Sequence, residues 1–329
     1  MGGAIPALSL VLAILNPSPA RTDDTFVTPS LRCSGGWTDN ANGGVDDPTA
    51  GRPPVPAPFV LVEPGIRIGD RPGPRVQAGA GYRAGVERYR AAGDENAFAH
   101  RVDGTVTVEP VGPAWTAEGS WDRKDYPAAH GALSYRAGRG GISASLPLDG
   151  DLGTMATAGW ALTQWRWPGD RYPVGDGSAT AGRAALTNRG SVGIRRRLGS
   201  RVVAGHQARW AQNPSRALRA GPAAHRQRFS WAGPGAIVSA GVAPSGCTIL
   251  TVAAQVQSRG YRDWIAGTPP ARVTGQALAL AASGSWACTR LVSVVADYAY
   301  LRHDAADPAL RLRAQRVSLG VRIAPRLPL

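Results

Sequence analysis

Residues 101–109 read RVDGTVTVE, and residues 289–301 read TRLVSVVADYAYL. In the first stretch valine and glycine occupy every even position, whereas charged and hydroxyl residues occupy the odd ones. A period of two places alternate side chains on opposite faces of a β-strand. One face of such a strand is apolar and the other is charged, as in strands that separate lipid from a wet lumen. The pattern therefore predicts membrane-spanning β-strands.

The same alternation continues from about residue 57 almost to the end of the chain, interrupted alternately by short turns and longer polar loops. The short turns, rich in Gly, Pro and Asp, are expected at residues 69–73, 110–113, 149–151, 198–200, 243–246 and 287–289. The longer loops are expected at 39–56, 90–95, 124–128, 167–177, 213–223, 261–270 and 303–307. The sequence thus predicts an all-β fold: a transmembrane antiparallel up-and-down β-barrel of about fourteen strands, within a range of twelve to sixteen.

Two segments depart from the regular pattern. The sixth predicted strand, at about residues 128–148, carries Arg136 and Arg139 around a glycine-rich centre, and the last strand changes phase near Gln315. Either segment could hold a β-bulge, and residues 138–148 could form an additional strand. A soluble β-sandwich also has alternating strands. Strands of roughly 10–18 residues, with tryptophans toward their ends, favour the barrel.

Composition bounds the domain organisation. The chain has 329 residues, 42 of them glycine and 27 proline, and it contains no apolar run near the roughly 20 residues of a membrane helix. Residues 5–15 are apolar and precede Ser18-Pro19-Ala20, which resembles a cleavage site. We therefore expect a signal peptide at residues 1–20 and a single barrel domain at residues 21–329, located in the outer membrane of a Gram-negative cell.

The net charge of +14 comes almost entirely from arginine, because Lys124 is the single lysine. Such a balance is also found in nucleic-acid-binding proteins. Here, however, the arginines recur singly within the alternating segments and do not form a basic stripe or tail. We therefore expect no nucleic-acid partner.

The front of the predicted barrel carries two short motifs. Residues 34–40 read SGGWTDN, and residues 58–66 read PFVLVEPGI after a polar loop. Together they resemble the opening of proteobacterial outer-membrane barrels, the β-barrel porins found in exopolysaccharide-export gene clusters. The resemblance implies passive passage or secretion of a saccharide, without catalytic residues. Members of that family usually end in an aromatic residue that the barrel-assembly machinery recognises, whereas this sequence ends in Leu329.

The residues that usually carry chemistry are sparse. The histidines, at positions 100, 130, 206, 225 and 303, lack metal-ligand spacing, and no CxxC motif occurs. His130 and Ser134 do not match a lipid-hydrolase motif. Cys247 and Cys288 are expected on adjacent strands at the short-turn rim, where they could form a disulfide or remain free, and Cys33 would be unpaired. We expect no cofactor, no metal and no enzymatic activity.

The predicted strand phase places a set of charged residues on the lumen face. The basic members are Arg67, Arg75, Arg83, Arg101, Arg209, Arg259, Arg316 and Arg322, and the acidic ones are Glu63, Glu87, Asp103, Glu109, Glu118 and Asp297. Arginine-lined pores attract anions, so the set favours a passive, anion-preferring channel for a saccharide. The same residues could instead form ion pairs that fill a closed lumen.

In that second case the barrel would be non-conducting, and its outer loops would bind a partner or brace a secretion complex. The loops at 167–177 and 261–270 carry Trp, Tyr, Arg and Asp, which are common at interfaces. The partners expected for either function are outer-membrane lipid and lipopolysaccharide, the barrel-assembly machinery and a saccharide solute.

Overall fold

The computed structural model describes residues 25–40, 55–73, 75–90, 96–126, 134–149, 153–174, 179–213, 215–217, 230–261, 274–305, 311–325 and 327–328. At residues 167–174, 179–184, 215–217 and 327–328 it describes the backbone alone. The expected signal peptide at residues 1–20, together with His130 and His225, lies outside these ranges.

The described residues form fourteen long strands and two short ones. The first half of the chain forms β1 (Phe26–Thr38), β2 (Ala57–Gly73), β3 (Val76–Tyr89), β4 (Ala97–Val108), β5 (Ala114–Asp125), β6 (Tyr135–Pro147), β7 (Thr154–Val174) and β8 (Ala179–Leu198). The second half forms β9 (Val202–Asn213), the short β10 (Ser215–Ala217), β11 (Trp231–Ser245), β12 (Thr248–Tyr261), β13 (Thr274–Ala287), β14 (Val292–Ala305), β15 (Leu312–Ile323) and the short β16 (Leu327–Pro328).

The long strands pair as an antiparallel meander that closes on itself. Each long strand pairs with the next long strand along the chain, and β9 pairs with both β8 and β11. The circle is completed where β1 pairs with β15, from Leu31 opposite Ile323 to Thr38 opposite Arg316. The short strands extend this sheet, β10 beside β8 and β16 beside β1. The result is a closed fourteen-stranded barrel, which excludes the sandwich.

The outer face of the barrel is apolar. Val60, Val252 and Val317 project outward and remain 55%, 51% and 48% exposed, although valine is normally buried in a water-soluble protein. Trp115 and Trp286 lie one residue from the short-turn ends of β5 and β13 and are also exposed. Apolar side chains between interfacial aromatic residues form the surface that lipid covers.

The inner face carries polar, small and charged residues. The buried hydrophobic residues are mostly alanines, such as Ala277, Ala279 and Ala281 on β13. Buried polar residues include Glu87 and Arg209, which are 5% and 6% exposed. The interior is therefore a charged wall rather than an apolar core.

Short connections join the six strand pairs as predicted, but several boundaries differ. Residues 69–73 belong to β2 and residues 243–245 to β11, so these two turns begin later than predicted. β7 continues to Val174 and β8 begins at Ala179, so most of the segment predicted as a loop at 167–177 is strand. β5 continues through Lys124, also predicted as loop. The register is continuous through Arg136, Arg139 and Gln315, and residues 138–147 belong to the single strand β6, so the bulge and extra-strand expectations there were wrong. Register shifts occur instead at residues 70–73, 167–172 and 242–245.

The architecture determines where the protein resides. No helix of the described residues is long and apolar enough to cross a membrane. A closed barrel pairs every strand edge, which satisfies backbone hydrogen bonds within lipid. An even number of strands, with short turns at one end and long connections at the other, is the pattern of bacterial outer-membrane barrels. The chain is an outer-membrane β-barrel, and we expect its short turns on the periplasmic side, as is usual for such barrels.

Candidate functional site: the inner wall of the barrel

Twelve of the fourteen charged residues proposed for the lumen lie on strands with the phase of the inner face, as the cross-strand pairs show. Arg75 and Glu109 do not lie in a spanning strand. Arg75 lies in the turn between β2 and β3, and Glu109 lies in the turn between β4 and β5, both at the periplasmic rim. The Glu109 N–H donates to the Arg75 carbonyl at 2.8 Å. Both belong to the entrance rather than to the wall.

Glu87 is the centre of one inner cluster near the extracellular end. Lys124 on β5 donates to Glu87 Oε2 at 2.8 Å, and Arg316 on β15 binds the other carboxylate oxygen. The Arg316 guanidinium also lies 3.9 Å from the centroid of the Phe59 ring, which in turn contacts Tyr89. This cluster connects β15 with β3 and β5 across the inner surface of β1 and β2.

Two further groups of ion pairs lie nearer the middle of the barrel. Arg32 on β1 bridges Asp297 on β14 and Glu63 on β2, and its nitrogen lies 3.9 Å from the Glu63 carboxylate. In the second group, Arg101 lies 3.7 Å from Asp103 and 3.6 Å from Asp122, and Arg83 lies 3.8 Å from Asp103. These pairs hold neighbouring strands together through their side chains.

Every inward carboxylate of the described strands takes part in such a pair. The last of them is Glu118 on β5, which binds Arg139 on β6. The acidic residues therefore lie on β2–β5 and β14 only, and each is neutralised by a basic side chain. We call this part of the interior the paired wall.

The opposite part of the interior, from β7 to β13, contains inward arginines but no inward carboxylate among the described side chains. In residues 154–287 the sequence has three acidic residues, at 170, 176 and 263, all outside the described side chains. The inward arginines here include Arg189, Arg209 and Arg259, and none of them forms an ion pair with a described residue. We call this the unpaired wall.

Arg209 is the most buried of these arginines. It is 6% exposed, and its Nε and one terminal nitrogen have no hydrogen-bond partner among the described residues. The side chain lies over Gly235 on β11, where a Cβ atom would approach Arg209 Nε to 2.9 Å. Glycine at this position thus leaves the room that the guanidinium occupies against the wall.

The neighbouring strand supports this arrangement through Gln257. Its amide nitrogen donates to the carbonyls of Gly233 at 2.7 Å and Pro234 at 2.9 Å, while its oxygen has no hydrogen-bond partner in the described part of the chain. Pro234 lacks a backbone N–H and cannot donate to the strand ladder, so the Gln257 amide compensates for part of the interrupted pairing. Arg259 packs on Trp231, with its guanidinium 4.6 Å from the ring centroid.

Several charged residues of the inner wall were not among those selected from the sequence. Arg32 and Arg189 have the inward phase of their strands, which the alternation alone could have identified. Asp122 was assigned to the inner face of its strand without being proposed as a functional residue. Lys124 was missed because it was assigned to a loop, and Arg139 because its strand was considered irregular.

The cysteines form no disulfide, because all three thiols are free and exposed. Cys247 and Cys288 do lie on adjacent chain segments, since the Ala287 N–H donates to the Cys247 carbonyl at 2.7 Å. Their sulfur atoms point to different partners, however. Cys247 contacts the Ser245 hydroxyl at 3.2 Å, and Cys288 points to the Trp286 carbonyl.

The loop expected at 261–270 begins with a residue that is not in a loop. Tyr261 is the last residue of β12, is 5% exposed, and hydrogen-bonds through its hydroxyl to His303 Nε2 at 2.9 Å. It therefore cannot serve as an exposed interface anchor. Within the described part of the chain, no group of three or more His, Cys, Asp or Glu side chains could hold a metal ion.

Comparison with known proteins finds similar solved structures but no similar sequence. No protein-family model matches the sequence, and no curated sequence is similar to it. The Pseudomonas putida toluene transporter TodX is 9% identical, with coverage of 94% of this chain and 91% of that one and a TM-score of 0.46. OmpT of Vibrio cholerae is 9% identical, with coverage of 93% of this chain and 99% of that one and a TM-score of 0.46. An anion-selective porin from Comamonas acidovorans is 8% identical, with coverage of 92% of this chain and 100% of that one and a TM-score of 0.41.

Proposed function

We propose that the protein is a passive, non-enzymatic outer-membrane channel that prefers anions. The observation that carries this proposal is the separation of the interior into a paired and an unpaired wall. On the paired wall every inward carboxylate is bound by a basic group, and these pairs brace the barrel, while Arg67 and Arg322 are inward arginines there that form no ion pair with a described residue. On the unpaired wall Arg189, Arg209 and Arg259 carry positive charge that no described carboxylate balances.

An anion in the lumen would supply the balancing charge. A buried guanidinium without a partner has lost part of its hydration, and charge-assisted hydrogen bonds to a passing anion replace it. Conduction also requires that the anion can leave, and single arginines spaced along a wall bind less tightly than a closed cage of ligands. The mechanism is therefore attraction and transient binding along the unpaired wall.

The client that we propose is a saccharide, anionic or neutral, because residues 34–66 resemble the porins of exopolysaccharide-export gene clusters. Carboxylate groups of an acidic saccharide would bind the arginines of the unpaired wall. Trp231, which packs under Arg259, adds an aromatic surface of the kind that contacts sugar rings.

Reversal potentials in a planar lipid bilayer under a salt gradient test the anion preference. We expect stable conductance steps and an anion-selective reversal potential for the wild type. Arg209→Gln and Arg189→Gln should each move the reversal potential toward zero. Arg196→Gln is the matched control, because Arg196 lies on the outer face at the periplasmic end of β8 and should leave selectivity unchanged. An unchanged reversal potential in Arg209→Gln would contradict the proposed pathway.

A second function remains open because the Glu87 cluster extends from β15 to β5 near the extracellular mouth. If this cluster closes the lumen together with the outer loops, the barrel conducts nothing and acts by binding a partner. Folded insertion into the bilayer without conductance would support this alternative and exclude the channel.

Block of the ionic current tests the client. An acidic oligosaccharide added to the extracellular or periplasmic side should reduce the current at a lower concentration than a neutral oligosaccharide of equal length. Arg209→Gln should remove that difference. Equal block by both sugars in the wild type would exclude an acidic client but not the channel itself.

A further inference from the structure

The outer face carries a row of basic residues at the extracellular ends of four consecutive strands. His100 on β4 is opposite Arg123 on β5, Arg123 is opposite Arg136 on β6, and Arg136 is opposite Arg166 on β7. All four side chains have the outward phase, on the same side as the apolar residues that lipid covers. We call these residues the outer arginine row.

Two members of this row, Arg136 and Arg166, lack an ion pair within the described part of the chain. Arg123 is neutralised by Asp125 at 2.6 Å. Arg136 and Arg166 are exposed and form no ion pair with a described residue. They lie directly opposite each other on the neighbouring strands β6 and β7. Like charges directly opposite each other in a sheet repel and destabilise the pair. An anion between the two guanidinium groups would relieve this repulsion.

The height of the row corresponds to the outer membrane interface. Arg136 lies ten residues along β6 from Leu146, the outward residue near the periplasmic end. A strand tilted by about 40° rises roughly 2.5 Å per residue along the membrane normal, so the separation is about 25 Å. This equals the height of about 25 Å that is typical for the apolar band of outer-membrane barrels. The row therefore lies at the level of the outer-leaflet head groups.

A shallow apolar groove runs down the barrel below Arg136. Its floor is formed by Gly138 and Gly140, which face outward and have no other atom within 4 Å of the position of a Cβ. Trp121 on β5 lies beside Gly138 and is 42% exposed. Further down the same face, an apolar groove of about 650 Å³ lies between Trp115, Trp160 and Trp210.

We propose that this face binds a phosphorylated glycolipid of the outer leaflet, with a phosphate between Arg136 and Arg166 and acyl chains along the glycine groove. Phosphate fits because two guanidinium groups can bind its oxygens through charge-assisted hydrogen bonds. A glycolipid fits because the Gln164 amide, two residues from Arg166 on the same outward phase, offers a hydrogen-bond donor and acceptor for a sugar hydroxyl beside the phosphate. The chemistry is that of lipid A, the anchor of lipopolysaccharide. This inference concerns the outer face and is independent of the proposed channel.

Native mass spectrometry of the full-length folded protein in detergent tests the proposal, with diphosphorylated lipid A as the probe. The wild type should retain lipid A. Arg136→Gln and Arg166→Gln should each weaken binding by about tenfold, the loss expected for one hydrogen bond between charged groups. Arg196→Gln is the matched control, since it removes an outward arginine from the opposite interface. Gly140→Leu tests the groove without changing the charge, and it should also weaken binding.

Both arginine variants are expected to fold, because they remove repulsion between two exposed side chains. Equal retention of lipid A by the wild type and Arg136→Gln would overturn the phosphate site. Equal loss in Arg196→Gln would overturn it as well, because binding would then reflect total charge. Equal retention of phosphatidylglycerol and lipid A would show that the site binds phospholipids in general and is not specific for a glycolipid. A dimer that lipid A does not dissociate would identify a second copy of the chain as the occupant.

Discussion

Arg316 on β15 reaches past two intervening strands, β1 and β2, to bind the carboxylate of Glu87 on β3. Lys124 binds the same carboxylate from β5. The Arg316 contact crosses the seam where the first strand of the barrel meets the last long one, whereas the Lys124 contact lies on one side of that seam. Glu87 therefore ties the two ends of the sheet together from the inside, as does Asp297 on β14, which binds Arg32 on β1 across the same seam.

Replacing Glu87 should destabilise the barrel. Glu87→Gln leaves Arg316 and Lys124 facing each other without a counter-charge, and loss of one member of a buried ion pair costs about 3 kcal/mol. We expect the free energy of unfolding in urea, followed by tryptophan fluorescence in detergent, to fall by about this amount. Glu109→Gln, which changes an exposed rim carboxylate, should have no measurable effect.

A double variant distinguishes the ion pair from a loss of packing. Glu87→Gln combined with Lys124→Gln removes one of the stranded cations, so it should recover part of the stability that Glu87→Gln loses. The contrary result is simple additivity, in which the double variant loses the sum of the stability lost by Glu87→Gln and by Lys124→Gln alone. In that case the two residues act independently, and the proposed role of Glu87 is wrong.

Gly36 should be essential for closing the same seam. A Cβ at Gly36 would overlap the Val317 carbonyl and the Phe59 ring, the ring on which Arg316 rests. Gly36→Ala should therefore lower stability by about 1–3 kcal/mol and reduce the yield of refolded barrel, because backbone atoms of β15 must move. Gly138→Ala is the matched control. Its Cβ would enter open space, so a similar loss in both variants would contradict the steric explanation.

The alternation in sequence predicts the barrel well, because a shift of one residue in the register of a strand would turn its whole apolar face into the lumen. The stretch at 101–109, for example, has its apolar face outward and its charged face inward in the structure. Strand ends were harder to predict, because Lys124 is polar and resembles loop sequence, yet its charge is balanced inside by Glu87.

The division between paired and unpaired walls was not predicted. Strand phase indicates which residues face inward, but it does not indicate which ones reach each other over several strands. The contact between Arg316 and Glu87 joins residues 229 positions apart, and it depends on the closure of the barrel and on the room left by Gly36. The scarcity of acidic residues between 154 and 287, by contrast, was visible in the sequence and would have located the unpaired wall.

The stability of the periplasmic turn between β6 and β7 should depend on pH. Hydrogen bonds from the Thr154 hydroxyl and backbone N–H lower the pKa of Asp149, and the N–H donates to its carboxylate at 3.1 Å. Because the folded pKa is below the unfolded one, the stabilisation is present above the ordinary pKa of about 3.9 and is lost as pH falls through the folded value. Thr154→Val removes the hydroxyl donor and should raise the midpoint of the Asp149 carboxyl titration, measured by NMR. A midpoint equal to that of a free aspartate in the wild type would exclude this turn contact.

The free cysteines offer a test of membrane orientation. Cys247 and Cys288 are exposed at the short-turn end, so a polymer-linked maleimide too large to pass a porin should label them only after the outer membrane is opened. Hydrogen bonds from Ser245 and Thr248 lower the pKa of Cys247, which increases its thiolate fraction and should make its labelling faster as pH rises toward neutrality. Arg90→Cys, at the extracellular end of β3, is the matched control and should be labelled in intact cells. The reverse pattern would show that the long loops face the periplasm, and it would place the outer arginine row at the inner leaflet.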